Sequence, residues 1–172
     1  TEFGPHEWNW EGLTSQMPVY PKLLQEAGYR TIHVGKAHFG CIGSEGEDPR
    51  NVGFDVNIGG NSIGQPGSYY GEWGYGYIKG NKSRAVPGLE KYHGSDVFLT
   101  DALTLEAEAE MEKAVKEKYS NVKCMDGTPL EFQFVTQELH KIPAQFTLNP
   151  ERVKPWGTAH AVLMGKEVIN EP

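Results

Sequence analysis

The sequence predicts an α/β fold on an open sheet, and three stretches carry that expectation. Residues 17–27 place apolar side chains at helical spacing, then give way at Gly28 to a short alternating run that closes on a glycine and a polar residue. Residues 95–118 form a long helical run, and residues 130–135 alternate as a strand before a second helix. Helix, glycine, strand and then a polar residue beyond the strand is the order in which an open α/β sheet gathers ligands at its strand ends.

In residues 17–27, Leu23, Leu24 and Ala27 supply the apolar stripe, and Gly28 supplies a left-handed C-terminal cap. Residues 29–34 alternate, with Ile32 and Val34 on one side and Thr31 and His33 on the other, and the strand ends at Gly35. Residues 40–94 show neither period and are dense in Gly, Asn, Ser, Tyr and Trp. So long a loop-like stretch inside a compact domain is functional or disordered, and its aromatics argue against simple disorder. Two readings stay open on composition: the aromatics wall a carbohydrate or aryl site, or they form the loop's own small core.

Residues 95–118 are the clearest helix, with Thr100 as N-cap and Asp101 in the first turn. Leu103, Ala107, Met111, Ala114 and Lys118 make a stripe at four-residue spacing, and Glu112 pairs with Lys116. Glu106, Glu108, Glu110 and Glu112 lie two apart, so they diverge around the helix and form a solvated face rather than a metal site. Beyond them Leu130, Phe132 and Phe134 share one side of a strand. Residues 138–156 are loop-like, and residues 158–169 read as a helix capped by Thr158 after Gly157.

The 172 residues suffice for one ordinary domain with a core. No apolar run approaches the roughly 18 residues of a membrane span, and no charged-then-apolar leader is present, so a soluble chain without membrane partner or targeting segment is expected. The net charge of −7 argues against nucleic acid as a partner. That charge lies wholly in residues 1–117, whereas residues 118–172 balance 6 basic against 6 acidic residues. Cys41 and Cys124 fit no zinc pattern; unpaired thiols are favoured, with one long-range disulfide left open.

The most informative run spans residues 28–40, GYRTIHVGKAHFG. Lys36 and His38, just past a strand and between glycines, put a fixed cation and a titratable imidazole in one cleft. A sulfate ester calls for both, the lysine on its oxygens and the histidine for proton traffic. Taken alone, Lys-x-His is a weak signal, and an exposed lysine with a satisfied histidine is the favoured reading. The surrounding run resembles the second signature of the type I, formylglycine-dependent sulfatase family, matching at Gly28, Tyr29, Thr31, Val34, Gly35, Lys36 and His38, with Ala37 where Trp is commonest. GFD at residues 53–55, PGLEKYHG at 87–94 and FLTDALTLEAEAE at 98–110 resemble the polysaccharide-type members.

The resemblance implies an incomplete sulfatase/alkaline-phosphatase-like open sheet and hydrolysis of sulfate esters of a small molecule or glycan. It also implies a formylglycine nucleophile beside calcium, and a periplasmic or secreted parent. Lys36 would contact the sulfate, and His38 would orient or deprotonate the formylglycine diol. Neither cysteine begins the Cys/Ser-x-Pro/Ala-x-Arg nucleophile motif, and the family's metal ligands fall outside this sequence. No cofactor is expected to be retained and no sulfatase turnover is expected from this chain alone.

Residues 154–163, KPWGTAHAVL, resemble instead a sugar-nucleotide nucleotidyltransferase, with residues 130–146 as the strand and loop leading into them. That resemblance implies a partial α/β tail in which Gly157 and Thr158, at a helix start, face the nucleotide. The expected organisation is a sulfatase-like fragment over 1–116 and a nucleotidyltransferase-like fragment over 117–172, joined within residues 115–119. A sulfatase fragment is the leading reading of function; a nucleotidyltransferase or a non-catalytic globular piece are the alternatives.

Overall fold

The computed structural model describes residues 12–76, 85–154 and 156–169. The chain divides into two compact units, Thr1–Val115 and Lys116–Pro172.

The first unit opens on α1 (Tyr20–Glu26), shorter than the sequence suggested. Pro18 pushes Met17 toward extended backbone, and Pro21 is tolerated in the first helical turn because its missing N–H would have no helical partner there. The expected apolar stripe is not a core face: none of the helix is buried, and Leu23 is 50% exposed. The helix stops as expected, with Gly28 at φ 88° and its N–H on the Gln25 carbonyl at 2.9 Å.

β1 (Ile32–Val34) pairs in parallel with β2 (Val56–Ile58), Ile32 against Val56, His33 against Asn57 and Val34 against Ile58. A three-residue strand is too short to show a period, which is why β2 is invisible within residues 40–94. The connection between the strands carries 3₁₀ turns at Glu45–Glu47 and Pro49–Val52. Asp55 fastens the strand entrances. Its carboxylate accepts from the Thr31 N–H at 2.8 Å, and its own N–H donates to the Thr31 hydroxyl oxygen at 3.1 Å. The Thr31 hydroxyl donates to the Gly53 carbonyl at 2.7 Å. Gly53, at φ 102°, admits no side chain because a Cβ would run into the Lys22 backbone.

Ile58, Tyr75, Val86, Leu89 and Ala102 form the core, with Leu99 and Leu103 packed against it. α2 (Leu99–Lys118) begins two residues earlier than a Thr100 cap would require, so Thr100 lies inside its first turn. The Phe98 carbonyl accepts the Ala102 N–H at 3.0 Å, and the Leu99 N–H reaches the Tyr69 carbonyl at 2.9 Å. The buried stripe centres on Ala102 rather than on the expected line, and Met111 is 65% exposed. The glutamates of α2 are not uniformly solvated. Glu106 accepts from the Tyr92 hydroxyl at 2.6 Å and pairs with Lys91 at 2.5 Å, while Glu110 pairs with Arg30 at 2.8 Å.

In the second unit, residues 130–135 are not a strand: among the described residues no segment pairs with them, and alternation without a ladder leaves the backbone as an isolated extended run. An isolated antiparallel bridge joins Lys123 to Pro129. α3 (Thr158–Met164) is capped by Gly157, not by Thr158, with no side-chain cap, and one 3₁₀ turn, Gly165–Glu167, follows. Among the described residues, α/β layering therefore amounts to the parallel pair and helices of the first unit.

Candidate functional site

Both strands end on a glycine in left-handed backbone, Gly35 at φ 106° and Gly59 at φ 84°. Each turns the chain sharply at the same end of the parallel pair, where ligands of an open sheet collect. Lys36 and His38 follow β1, and residues 60–64 follow β2. The two loops are tied by the His38 N–H donating to the Asn61 carbonyl at 2.9 Å.

The side chains meet at Gly64. A Cβ on that residue would stand 3.4 Å from His38 Nδ1 and 3.9 Å from Lys36 Nζ. The missing side chain is thus what leaves room between cation and imidazole. His38 holds φ 59°, a left-handed conformation that costs a residue with a Cβ roughly 1–2 kcal/mol. Strain of this kind gathers at functional sites. Lys36 is exposed and pairs with no carboxylate among the described residues. A cavity of about 70 Å³ opens beside it, bounded on the polar side by Lys36, Asn61 and Gln65.

Beneath the loop, His33 is wedged edge-on between Phe39 and Phe54, at ring-centre distances of 5.5 and 5.2 Å. Gly60 presses against it; a Cβ there would come within 2.8 Å of His33 Cε1 and 2.7 Å of Pro49 Cγ. Burial pushes the His33 imidazole below its ordinary value, against the opposing pull of Asn57 and the Lys36 backbone. Its Nδ1 is enclosed and makes no hydrogen bond of normal geometry among the described residues, and the same holds for the hydroxyl of Ser62, 8% exposed.

Sequence reading singled out Lys36 and His38, which the fold brings together at Gly64, but did not single out Asn61 and Gly64. The signal available was the doublet Gly59–Gly60 after Val56-Asn57-Ile58, but its meaning depends on a strand pairing that only the fold supplies.

The residues do not fit the calcium that the sulfatase resemblance implies: among those described, no three His, Cys, Asp or Glu side chains gather closely enough to hold a metal ion. Cys41 and Cys124 are both free thiols. In the second unit Thr158 is exposed and nothing lies within 4 Å of a Cβ built on Gly157. The ordered polar group there is His160, which the sequence did not single out. Its Nε2 lies 2.6 Å from the Lys141 carbonyl, which can only accept, so that nitrogen carries the proton. Nδ1 then accepts from the Gln137 amide at 3.1 Å in the neutral ring.

The chain matches no protein-family model and no curated protein.

Proposed function

We propose that the first unit binds the sulfate group of a sulfate ester, as an interior piece of a sulfatase-type hydrolase. One observation carries the reading: Lys36 Nζ and His38 Nδ1 converge on the gap at Gly64, past the ends of two parallel strands. Lysine suits sulfate oxygens as a point charge, and an imidazole beside it can donate to the anion or move a proton at the ester oxygen. The run GYRTIHVGKAHFG supports the same assignment by resemblance. No Cys/Ser-x-Pro/Ala-x-Arg run occurs in the sequence, so these residues hold and orient the ester without a covalent nucleophile of that kind.

The test is a titration of the chain with sodium sulfate and phenyl sulfate, followed by the imidazole NMR signals of His38. Lys36→Ala is expected to weaken binding about tenfold, the loss of one charge-assisted hydrogen bond of roughly 1.5 kcal/mol. Gly64→Ala, which meets only ordinary contacts, is expected to block the gap with its methyl while the fold persists. Sulfate binding indifferent to both substitutions overturns the assignment. Hydrolysis of phenyl sulfate abolished by Lys36→Ala would keep the site and overturn the reading of a chain that only binds.

A further inference from the structure

Resting on that reading, we infer that the cavity beside Lys36 selects small anions carrying a short aliphatic chain, in preference to sulfated sugars. The cavity measures about 70 Å³; Lys36, Asn61 and Gln65 line its polar side, and Ile63, Pro66, Val86, Leu99 and Leu103 its apolar side. Lys36 Nζ lies at the Gly64 wall, 3.9 Å from where a Cβ would sit, so an anion on the lysine points its substituent at these apolar side chains. Val86 is buried and Leu99 and Leu103 pack on the core, so the far wall is built rather than collapsed from mobile loop.

Volume decides the size of the substituent. An apolar cavity of about 150 Å³ accommodates benzene, so about half that volume takes roughly three carbons. A hexose does not fit. Most of its hydroxyls would also find no side-chain partner, because among the described lining residues Lys36, Asn61 and Gln65 alone carry polar side chains. Hydroxyls buried without partners oppose binding. Aliphatic carbons carry no such demand and remove apolar wall from water.

The experiment measures binding of the full chain to inorganic sulfate, to methyl, ethyl, propyl and hexyl sulfate, and to glucose 6-sulfate. Affinity is expected to rise about fourfold per added methylene as far as propyl and then level off, each buried CH₂ contributing about 0.8 kcal/mol. Glucose 6-sulfate is expected to bind no more tightly than inorganic sulfate. Leu103→Ala moves the plateau to longer chains; Ile63→Ala, on the loop wall, does the same where the first variant fails to fold.

Three outcomes overturn the inference alone while sulfate still depends on Lys36: affinity independent of chain length, an unbroken rise through hexyl sulfate, or tighter binding of glucose 6-sulfate. Absence of binding by every anion overturns the sulfate reading together with it.

Discussion

The two units solve the problem of order by different means. In Thr1–Val115, residues distant in sequence close an apolar core in which Tyr75, Leu89 and Ala102 are fully buried. In Lys116–Pro172 the only buried residue among those described is the polar His160, held by Gln137 and the Lys141 carbonyl. Trp156 beside it donates to the Leu139 carbonyl at 3.0 Å, while Phe146 and Val162 are 62% and 68% exposed. Hydrogen bonds fix geometry but exchange against water, so each adds little net stability, whereas apolar burial is the larger driving term. A strained residue such as His38 persists only where surrounding structure over-determines it. The first unit has that surrounding structure, and the second has local polar order without a core to brace it.

The sharpest way to break the contrast is Leu89→Ala. Leu89 is 0% exposed among Ile58, Tyr75, Val86 and Ala102, so its loss is expected to cost the first unit about 2–5 kcal/mol, read as a lowered urea midpoint together with loss of the sulfate response. An unchanged midpoint would show that the core does not carry the site. Thr31→Val comes next. It removes the hydroxyl that donates to Gly53 and accepts from Asp55, at a site 7% exposed, and is expected to cost about 2 kcal/mol. His160→Ala is expected to cost the second unit about 1 kcal/mol and to leave sulfate binding as it was. Equal damage to the sulfate response would show that the units are energetically one.

Local features were legible in the sequence where one or two residues decide them. Gly28 and Gly35 both take the left-handed backbone that glycine favours, and the long helix stands where its composition put it. What needed a distant partner was not legible. Residues 130–135 alternate as well as any strand yet lack a neighbour among the described residues, whereas β2, only three residues long and set in a loop-like stretch, pairs with β1. Thr100 is a good capping residue, but the Phe98 carbonyl starts the helix ahead of it. At the site, Lys36 and His38 were readable from their spacing. Gly64 was not, because its role is to be empty at a point defined by side chains 26 and 28 positions earlier in the chain.

The smallest expected effect separates the first unit's buried imidazole from its carboxylates. His33 has its folded value pushed below the ordinary 6.5 by burial, so the unfolded chain takes up a proton that the folded one resists. Its contribution to stability is therefore full above pH 6.5 and declines as the pH falls through 6.5 toward the folded value. The carboxylates act in the opposite part of the scale. Hydrogen bonds from Arg50 hold Asp48 below its ordinary 3.8, and the Thr31 N–H does the same for Asp55. Ser15 holds Glu45 below 4.5. Their contributions are complete above those ordinary values and are lost only at more acid pH. Between pH 6.5 and 4.5 the loss belongs to histidine, and His33→Phe, which keeps an aromatic ring between Phe39 and Phe54, is expected to flatten it. Urea midpoints of the two proteins across that window give the comparison directly, because every other group is common to both and subtracts. Parallel slopes would mean that the enclosed Nδ1 finds a proton or a partner without leaving its place, and His33 would then be packing rather than a titrating element beneath the site.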